Sequence, residues 1–324
     1  MRARHHRVRA VGALLAVLAC AGCTGVGGGA GAGAGAGGVA STPGSPTGIA
    51  GHGSADPLIA AAGDIACQPG GRVTPTSCQQ RATSDLLVRQ PLAAVLTLGD
   101  EQYDQGRIKS FRTQYGPTWG RELSITYPAP GNHEYQSGGD GYYEYFGARA
   151  GEPSRPYYSF DIGAWHIIAL DSECGFAGGC QKGSPQERWL VADLRAHPTR
   201  CVLAFWHEPR FSSGGHGNNR AYVPFWEDLY AAHADVVLNG HDHDYERFAP
   251  QTPRAMASAN GIREFVVGTG GKSLRRFHTV KAKSQVRSAT FGVLELRLHP
   301  TSYDWRFVPI AGSSFTDSGS ARCD

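Results

Sequence analysis

The stretch DVVLNGHDHDYERF, residues 235–248, is an apolar run that breaks at Gly240 and continues with two histidines one residue apart, His241 and His243. Three more runs share its form: PLIAAAGD at 57–64, AAVLTLGD at 93–100 and CVLAFWHE at 201–208. A strand with no polar interruption is buried on both faces, as in α/β sheets, and the ligands of such sheets gather beyond the carboxyl ends of the strands. Each of the four runs stops where metal-capable side chains begin. The pattern predicts an α/β fold with its functional crevice at the strand ends.

Helices fit between the runs. SPQERWLVADLRAH (184–197) opens with Ser184 as N-cap, Pro185 at the first helical position and Glu187 three residues after the cap, the pattern of a capping box, and Trp189, Leu190 and Leu194 form its apolar stripe. YVPFWEDLYAAH (222–233) turns Phe225, Leu229 and Tyr230 or Ala232 inward. REFVVGTGG (263–271), ATFGVLELRLH (289–299) and SYDWRFVPI (302–310) read as consecutive strands, and the alternation in LELRLH is that of an antiparallel strand with one wet face. YYSFDIGAWHIIALDS (157–172) reads as two strands around a turn at Gly163. A four-layer αββα sandwich, two mixed β-sheets flanked by helices, accounts for all these elements in one domain over residues 57–324.

The chain has 324 residues, 41% hydrophobic and 18% charged, enough for a large core. Arg2, Arg4, Arg7 and Arg9 precede the apolar run VGALLAVLACAG, an export signal too short to span a membrane. The run ends in Ala-Gly-Cys, so residues 1–23 resemble a bacterial lipoprotein leader with Cys23 as the lipidated residue; plain secretion is the alternative. Residues 24–56, rich in Gly and Ala, read as a flexible tether. The predicted location is therefore exported, at the cell surface through a lipid anchor or secreted.

Removing residues 1–22 takes away four arginines and no acid, leaving 27 basic against 28 acidic residues. That balance indicates no nucleic-acid partner. Six cysteines remain outside the leader, and an even number in an exported chain reads as disulfides. Their spacings suggest Cys67 with Cys78, Cys174 with Cys180, and Cys201 with Cys323.

Singly, each strand-end residue has an ordinary reading as a cap, a turn residue or a bonded core histidine. Together, five segment ends supply Asp64, Asp100 with Tyr103, Asn132 with His133, His207, and His241 with His243. Imidazole, carboxylate and amide donors suit Zn²⁺, Mn²⁺ or iron, in numbers sufficient for two ions. In an extended segment, residues two apart project to one side, so His241 and His243 can face the crevice while Asp242 turns away. Asp242, Asp244 and Glu246 are then the acids least suited to ligation.

The blocks GDIA, GDEQY, GNHE, WHEP and GHDHDYER, in this order, resemble the calcineurin-like metallophosphoesterases, and within them the purple acid phosphatases. The resemblance implies two metal ions, one on Asp64, Tyr103 and His243, the other on Asn132, His207 and His241, with Asp100 bridging. It implies hydrolysis of a phosphate ester by attack of a metal-bound hydroxide. His133 would lie beside the phosphate, and His216, in FSSGGHGNN, would face the substrate. The family's Asp-x-His is absent from the first block, where Ile65 and Ala66 follow Asp64, while Tyr103 matches the iron-binding tyrosine of the purple branch. This implies Fe³⁺ at the first site and Fe²⁺, Zn²⁺ or Mn²⁺ at the second.

The reading is an exported phosphomonoesterase, with a phosphodiesterase or nucleotidase on the same fold as the alternative. A non-catalytic lipoprotein binding module is the alternative from another class. FVVGTGGKSL lacks the spacing of a phosphate-binding loop and reads as a tight turn, with Lys272 in reach of a substrate phosphate. Residues 106–121, 138–156 and 212–220 read as loops that select the substrate.

Overall fold

The computed structural model describes residues 56–324; the leader, Cys23 and the Gly/Ala-rich stretch up to residue 55 lie outside the described residues. Strands run in chain order as β1 (Leu58–Ala62), β2 (Ala94–Leu98), β3 (Thr126–Ala129), β4 (Tyr158–Ile162), β5 (Trp165–Ala169), β6 (Cys201–Phe205) and β7 (Val236–Asn239). They continue as β8 (Tyr245–Phe248), β9 (Arg263–Val267), β10 (Ser284–Ser288), β11 (Gly292–His299), β12 (Ser302–Pro309) and β13 (Ser318–Arg322). The longer helices are α1 (Gln80–Leu87), α2 (Asp140–Phe146), α3 (Pro185–Ala196) and α4 (Val223–Ala231).

Two mixed sheets result. The first has the order β13-β12-β11-β1-β2-β3, the second β10-β8-β9-β7-β6-β5-β4. The four apolar runs supply the parallel centres: β1 beside β2 in one sheet, β6 beside β7 in the other. All of their residues are buried, as uninterrupted runs require.

The second sheet divides its side chains by the period of two. Trp165, Ile167 and Ala169 of β5 and Cys201, Leu203 and Phe205 of β6 join the core that also holds Ile59, Leu96 and Leu294 of the first sheet. Ile168, Val202 and Ala204 point the other way, onto Leu190 of α3 and Phe225, Trp226 and Leu229 of α4. Burying a Leu or Phe side chain fully contributes about 1.5–3 kcal/mol, so this face alone accounts for both helices. In β11 the expected alternation holds, with Leu294, Leu296 and Leu298 buried and the residues between them half-exposed.

Several details differ from expectation. Ser184 Oγ caps α3 by accepting from Glu187 N at 3.3 Å, but Glu187 Oε2 accepts from Gly183 N at 2.8 Å instead of from the cap's own amide. In α4 the inward residue beside Phe225 and Leu229 is Trp226, while Tyr230 and Ala232 are only half-buried. β9 and β11 are not consecutive strands, because β10 lies between them, and β9 pairs with β7 and β8 in the second sheet. The supposed loops 106–121 and 138–156 are largely short helical turns and α2. Among the described residues Cys67 is bonded to Cys78, Cys174 to Cys180 and Cys201 to Cys323. No helix among them is long and apolar enough to cross a membrane.

On the outer face of β5, His166 is buried with both ring nitrogens bonded, Nδ1 to Asp161 at 2.8 Å and Nε2 to Asp193 at 2.9 Å. Burial alone would lower its pKa, but the bonds to Asp193 and Asp161 outweigh burial and raise it above 6.5. The proton bound in the folded state therefore stabilises fully below pH 6.5, and that contribution is lost as pH rises through the raised value. The melting temperature of the wild type should fall more steeply with rising pH above 6.5 than that of His166→Gln. Parallel profiles would show that the His166 site does not carry this charge.

Candidate metal centre

Three strand ends adopt the same uncommon turn. Asp64, Asp100 and His241 lie in the left-handed region, with φ of 58°, 51° and 68°, and each follows a glycine. This conformation costs a non-glycine residue roughly 1–2 kcal/mol, so the packing around the three turns has to enforce it. The expected extended geometry of His241 and His243 is thereby replaced: residues 241–244 form a bend, and β8 begins only at Tyr245.

The preceding glycines let the two sheets close on each other. Gly99 has φ 83°, and a Cβ there would run into the His207 ring. A Cβ on Gly240 would lie 2.7 Å from the Leu98 carbonyl oxygen and 2.8 Å from Asp64 Oδ2. The resulting junction is hydrogen-bonded: His207 Nδ1 donates to Leu98 O at 2.8 Å, and His241 N donates to Asp64 Oδ2 at 2.7 Å.

Six of the seven expected ligand side chains make direct approaches within this junction. Tyr103 Oη lies 2.7 Å from Asp64 Oδ1, 2.8 Å from Asp100 Oδ2 and 3.1 Å from His243 Nε2. His243 Nε2 is also 3.1 Å from Asp64 Oδ1. On the other side, His207 Nε2 is 3.3 Å from Asp100 Oδ2 and 3.1 Å from His241 Nδ1. Asp100 Oδ2 thus stands between the Tyr103 group and the His207 group. Asn132, the seventh, has a buried Oδ1 with no hydrogen-bond partner.

His133 flanks the cluster. Its Nδ1 bonds Asp104 O at 2.5 Å, its Nε2 lies 3.8 Å from Asp100 Oδ2, and its backbone N donates to Asp100 Oδ1 at 2.9 Å. His216 stands over His241 with ring centroids 3.9 Å apart, its Nδ1 2.9 Å from Asp242 Oδ1. Asp242 does turn away from the cluster, and its use is to hold His216. Glu246 likewise accepts from Ser213 N and Oγ at 2.7 and 2.6 Å.

A hollow of about 120 Å³ opens beside His216 and His241, bordered by Glu208. The Glu208 carboxylate is committed, Oε2 accepting from Asn219 Nδ2 at 2.7 Å and from Tyr222 Oη at 2.8 Å. Lys272 is committed as well: its ammonium lies 2.6 Å from Gln68 Oε1, 3.0 Å from Asp104 Oδ1 and 4.3 Å from the Tyr103 ring centroid. Lys272 is thus held over the Tyr103 ring by Gln68 and Asp104.

Sequence reasoning missed Ser273, Arg275 and Glu134. Ser273 Oγ bonds His243 Nδ1 at 2.7 Å, and Arg275 Nη1 lies 3.3 Å from His216 Nε2. Glu134 accepts from Asp100 N, Gln102 N and Gly131 N at 2.9, 3.1 and 2.9 Å, fixing the loop that carries Asp100. The Glu in the GNHE block was the only signal for Glu134; no local pattern marks the other two.

The donors fit metal ions. His207 and His243 have their outer nitrogens bonded by a carbonyl and a hydroxyl, which leaves Nε2 of each aimed at the carboxylates, as ligating histidines require. Burial, then the neighbouring His207 and His216, lowers His241 to about 4, so its ring is neutral and has a lone pair to give. For Tyr103, burial and then the charges of Asp100 and Asp64 hold the phenol well above its usual pKa. Two fully buried carboxylates beside a phenol and three histidines make a cluster that calls for added positive charge.

The family model for calcineurin-like phosphoesterases matches residues 57–245. Purple acid phosphatase 21 of Arabidopsis thaliana is 32% identical over 155 residues, covering 45% of this chain and 34% of that protein. Purple acid phosphatase 1 of Ipomoea batatas is 29% identical over 179 residues, covering 48% and 36%. The matches thus span about a third of the length of these curated relatives. Purple acid phosphatase PPD1 from yellow lupin (Lupinus luteus) seeds aligns with a TM-score of 0.68 at 18% identity, over 82% of this chain and 54% of that one, a likeness of fold.

Gly99→Ala tests the closure of the two sheets. Its Cβ must displace the His207 ring, and the variant should lose about 1–3 kcal/mol of stability together with bound metal, read by thermal unfolding and elemental analysis. Gly138→Ala is the control, since Gly138 has a similar φ of 85° with nothing within 4 Å of the added Cβ. Equal losses in the two variants would mean that close approach at Gly99 is not what assembles the centre.

Proposed function

The chain belongs to the calcineurin-like phosphoesterase family, and from that premise we propose that it is an exported binuclear-metal phosphatase that hydrolyses phosphomonoesters. The observation that carries the reading is the position of Tyr103 Oη, within 2.8 Å of both Asp64 Oδ1 and Asp100 Oδ2. Asp64, Tyr103 and His243 would hold one ion, Fe³⁺, suited to a tyrosinate ligand. Asn132, His207 and His241 would hold the other, Fe²⁺, Zn²⁺ or Mn²⁺, with Asp100 shared between them. Bound there, the ions would supply positive charge to the phosphate oxygens and acidity to water.

The remaining work falls to the chain's own side chains. Asp104 O holds His133 Nδ1, which leaves Nε2 facing the Asp100 side of the cluster to hydrogen-bond a phosphate oxygen. Asp242 holds His216 Nδ1, which leaves Nε2 near Arg275 to contact the substrate or pass a proton to the leaving oxygen. Gly217 stands next to His216, where some purple phosphatases carry a second histidine, so His216 would do this alone. The arginine-rich leader supports export, as do three disulfides, and Cys23 would be lipidated to hold the 57–324 domain at the cell surface.

Purified protein should turn over p-nitrophenyl phosphate faster than bis(p-nitrophenyl) phosphate; equal or better diester turnover would replace this reading with a phosphodiesterase. Asp100→Asn should lower kcat/KM on the order of a thousandfold and reduce metal content. Tyr103→Phe should abolish a visible tyrosinate-to-iron band. An inactive, metal-free wild type would favour a binding module.

A further inference from the structure

Residues 272–287, KSLRRFHTVKAKSQVR, carry six Lys or Arg, one His and no acid. This contrasts with the near-balance of the chain beyond residue 22. The segment is tied to the centre along its length. Ser273 Oγ bonds His243, and Arg275 N donates to His243 O at 2.9 Å. His278 N donates to Ser213 O and Lys281 N to Ser213 Oγ, each at 2.9 Å.

Three of its side chains reach His216 and the glycines on either side of it. Arg275 Nη1 is 3.3 Å from His216 Nε2. A Cβ built on Gly217 would lie 3.9 Å from Lys281 Nζ, and one built on Gly215 would lie 3.6 Å from His278 Nε2. Gly217, His216 and His241 line the hollow itself. Among the described residues, none of Arg275, Arg276, Lys281 and Lys283 forms an ion pair with a carboxylate. Lys272 differs, since it is bound to Asp104.

Cations gathered on one short segment repel each other, and although Asp244 lies near enough to act on Arg275, none of those four is neutralised by a direct ion pair. An anion bound among them would offset that repulsion. Glu208 borders the hollow, so a second anionic group entering beside His216 is repelled from Glu208 and attracted to Arg275 at His216 and Lys281 at Gly217. We propose that Arg275 and Lys281, with His278 beside them, form a subsite for a further phosphate group, so that the preferred substrates are phosphomonoesters bearing at least one additional phosphate. The inference rests on the phosphatase reading above.

The test compares kcat/KM for fructose 1,6-bisphosphate with the sum for fructose 1-phosphate and fructose 6-phosphate, at low and high salt. The wild type should prefer the bisphosphate about tenfold, the value of one charge-assisted contact, with the preference shrinking in salt. Arg275→Gln combined with Lys281→Gln should erase most of the preference, and Arg275→Lys with Lys281→Arg should restore it. No preference in the wild type, or an equal loss for all three substrates in the Gln pair, overturns the subsite.

Turnover of p-nitrophenyl phosphate reports separately on the phosphatase reading. If that fails, calorimetric titration of the bisphosphate against the monophosphates still decides, and equal affinities overturn the subsite. Retention on phosphatidylglycerol vesicles that the Gln pair abolishes, without any bisphosphate preference, would assign the patch to a membrane surface and also overturn it.

Discussion

Asp64 and Asp100 are buried carboxylates brought to within hydrogen-bond reach of one phenol, and the rest of the molecule is arranged around that constraint. Taking a charged carboxylate out of water costs several kcal/mol, and a second one nearby adds repulsion. The chain answers with imidazole nitrogens on both sides, His243 toward Asp64 and His207 toward Asp100. Burial alone would lower the pKa of His207, but Asp100 and Asp64 raise it well above the ordinary histidine value, so the metal-free cluster recruits a proton. Metal ions would meet the same need with more charge and with bonds to the same atoms.

That need also joins the sheets. Asp64 and Asp100 end strands of the first sheet, His207 and His241 end strands of the second, and the bonds between them cross from one to the other. The left-handed turns at Asp64, Asp100 and His241 are strained in isolation and are sustained because both sheets are packed on one continuous core. A ligand that binds only the closed arrangement adds its binding free energy to the stability of the whole domain.

Much of this was legible in the sequence because burial and ligation leave opposite marks on neighbouring residues. PLIAAAGD and DVVLNGHD carry both the strand and its chemistry, since within these two buried strands no ionisable residue stands before the strand ends. β10 escapes a local reading because SQVRS is a half-exposed edge strand with no apolar run, whereas pairing with β8 is set across the sheet. The inward face of α4 was misread at Trp226, where a nine-residue helix leaves room for more than one apolar stripe. His241 and His243 were read as extended neighbours; they converge through a bend whose φ only the packing enforces. Ser273 and Arg275 were invisible because they reach the centre from a segment that bears no motif.

Charge in this protein is layered in a way that net charge conceals. Asp64, Asp100, Asp242, Asp244, Glu246 and Glu264 are all buried, while Arg275, Arg276 and His278 lie exposed on the rim above them. Burial raises Asp244 and Glu264 well above the usual carboxylate value. An approaching phosphate meets these exposed cations before it meets the buried acids. Under the proposed subsite, the field that steers an anion inward would come from a few side chains on residues 272–287, so that a chain with almost equal numbers of acids and bases could still present a cationic entrance.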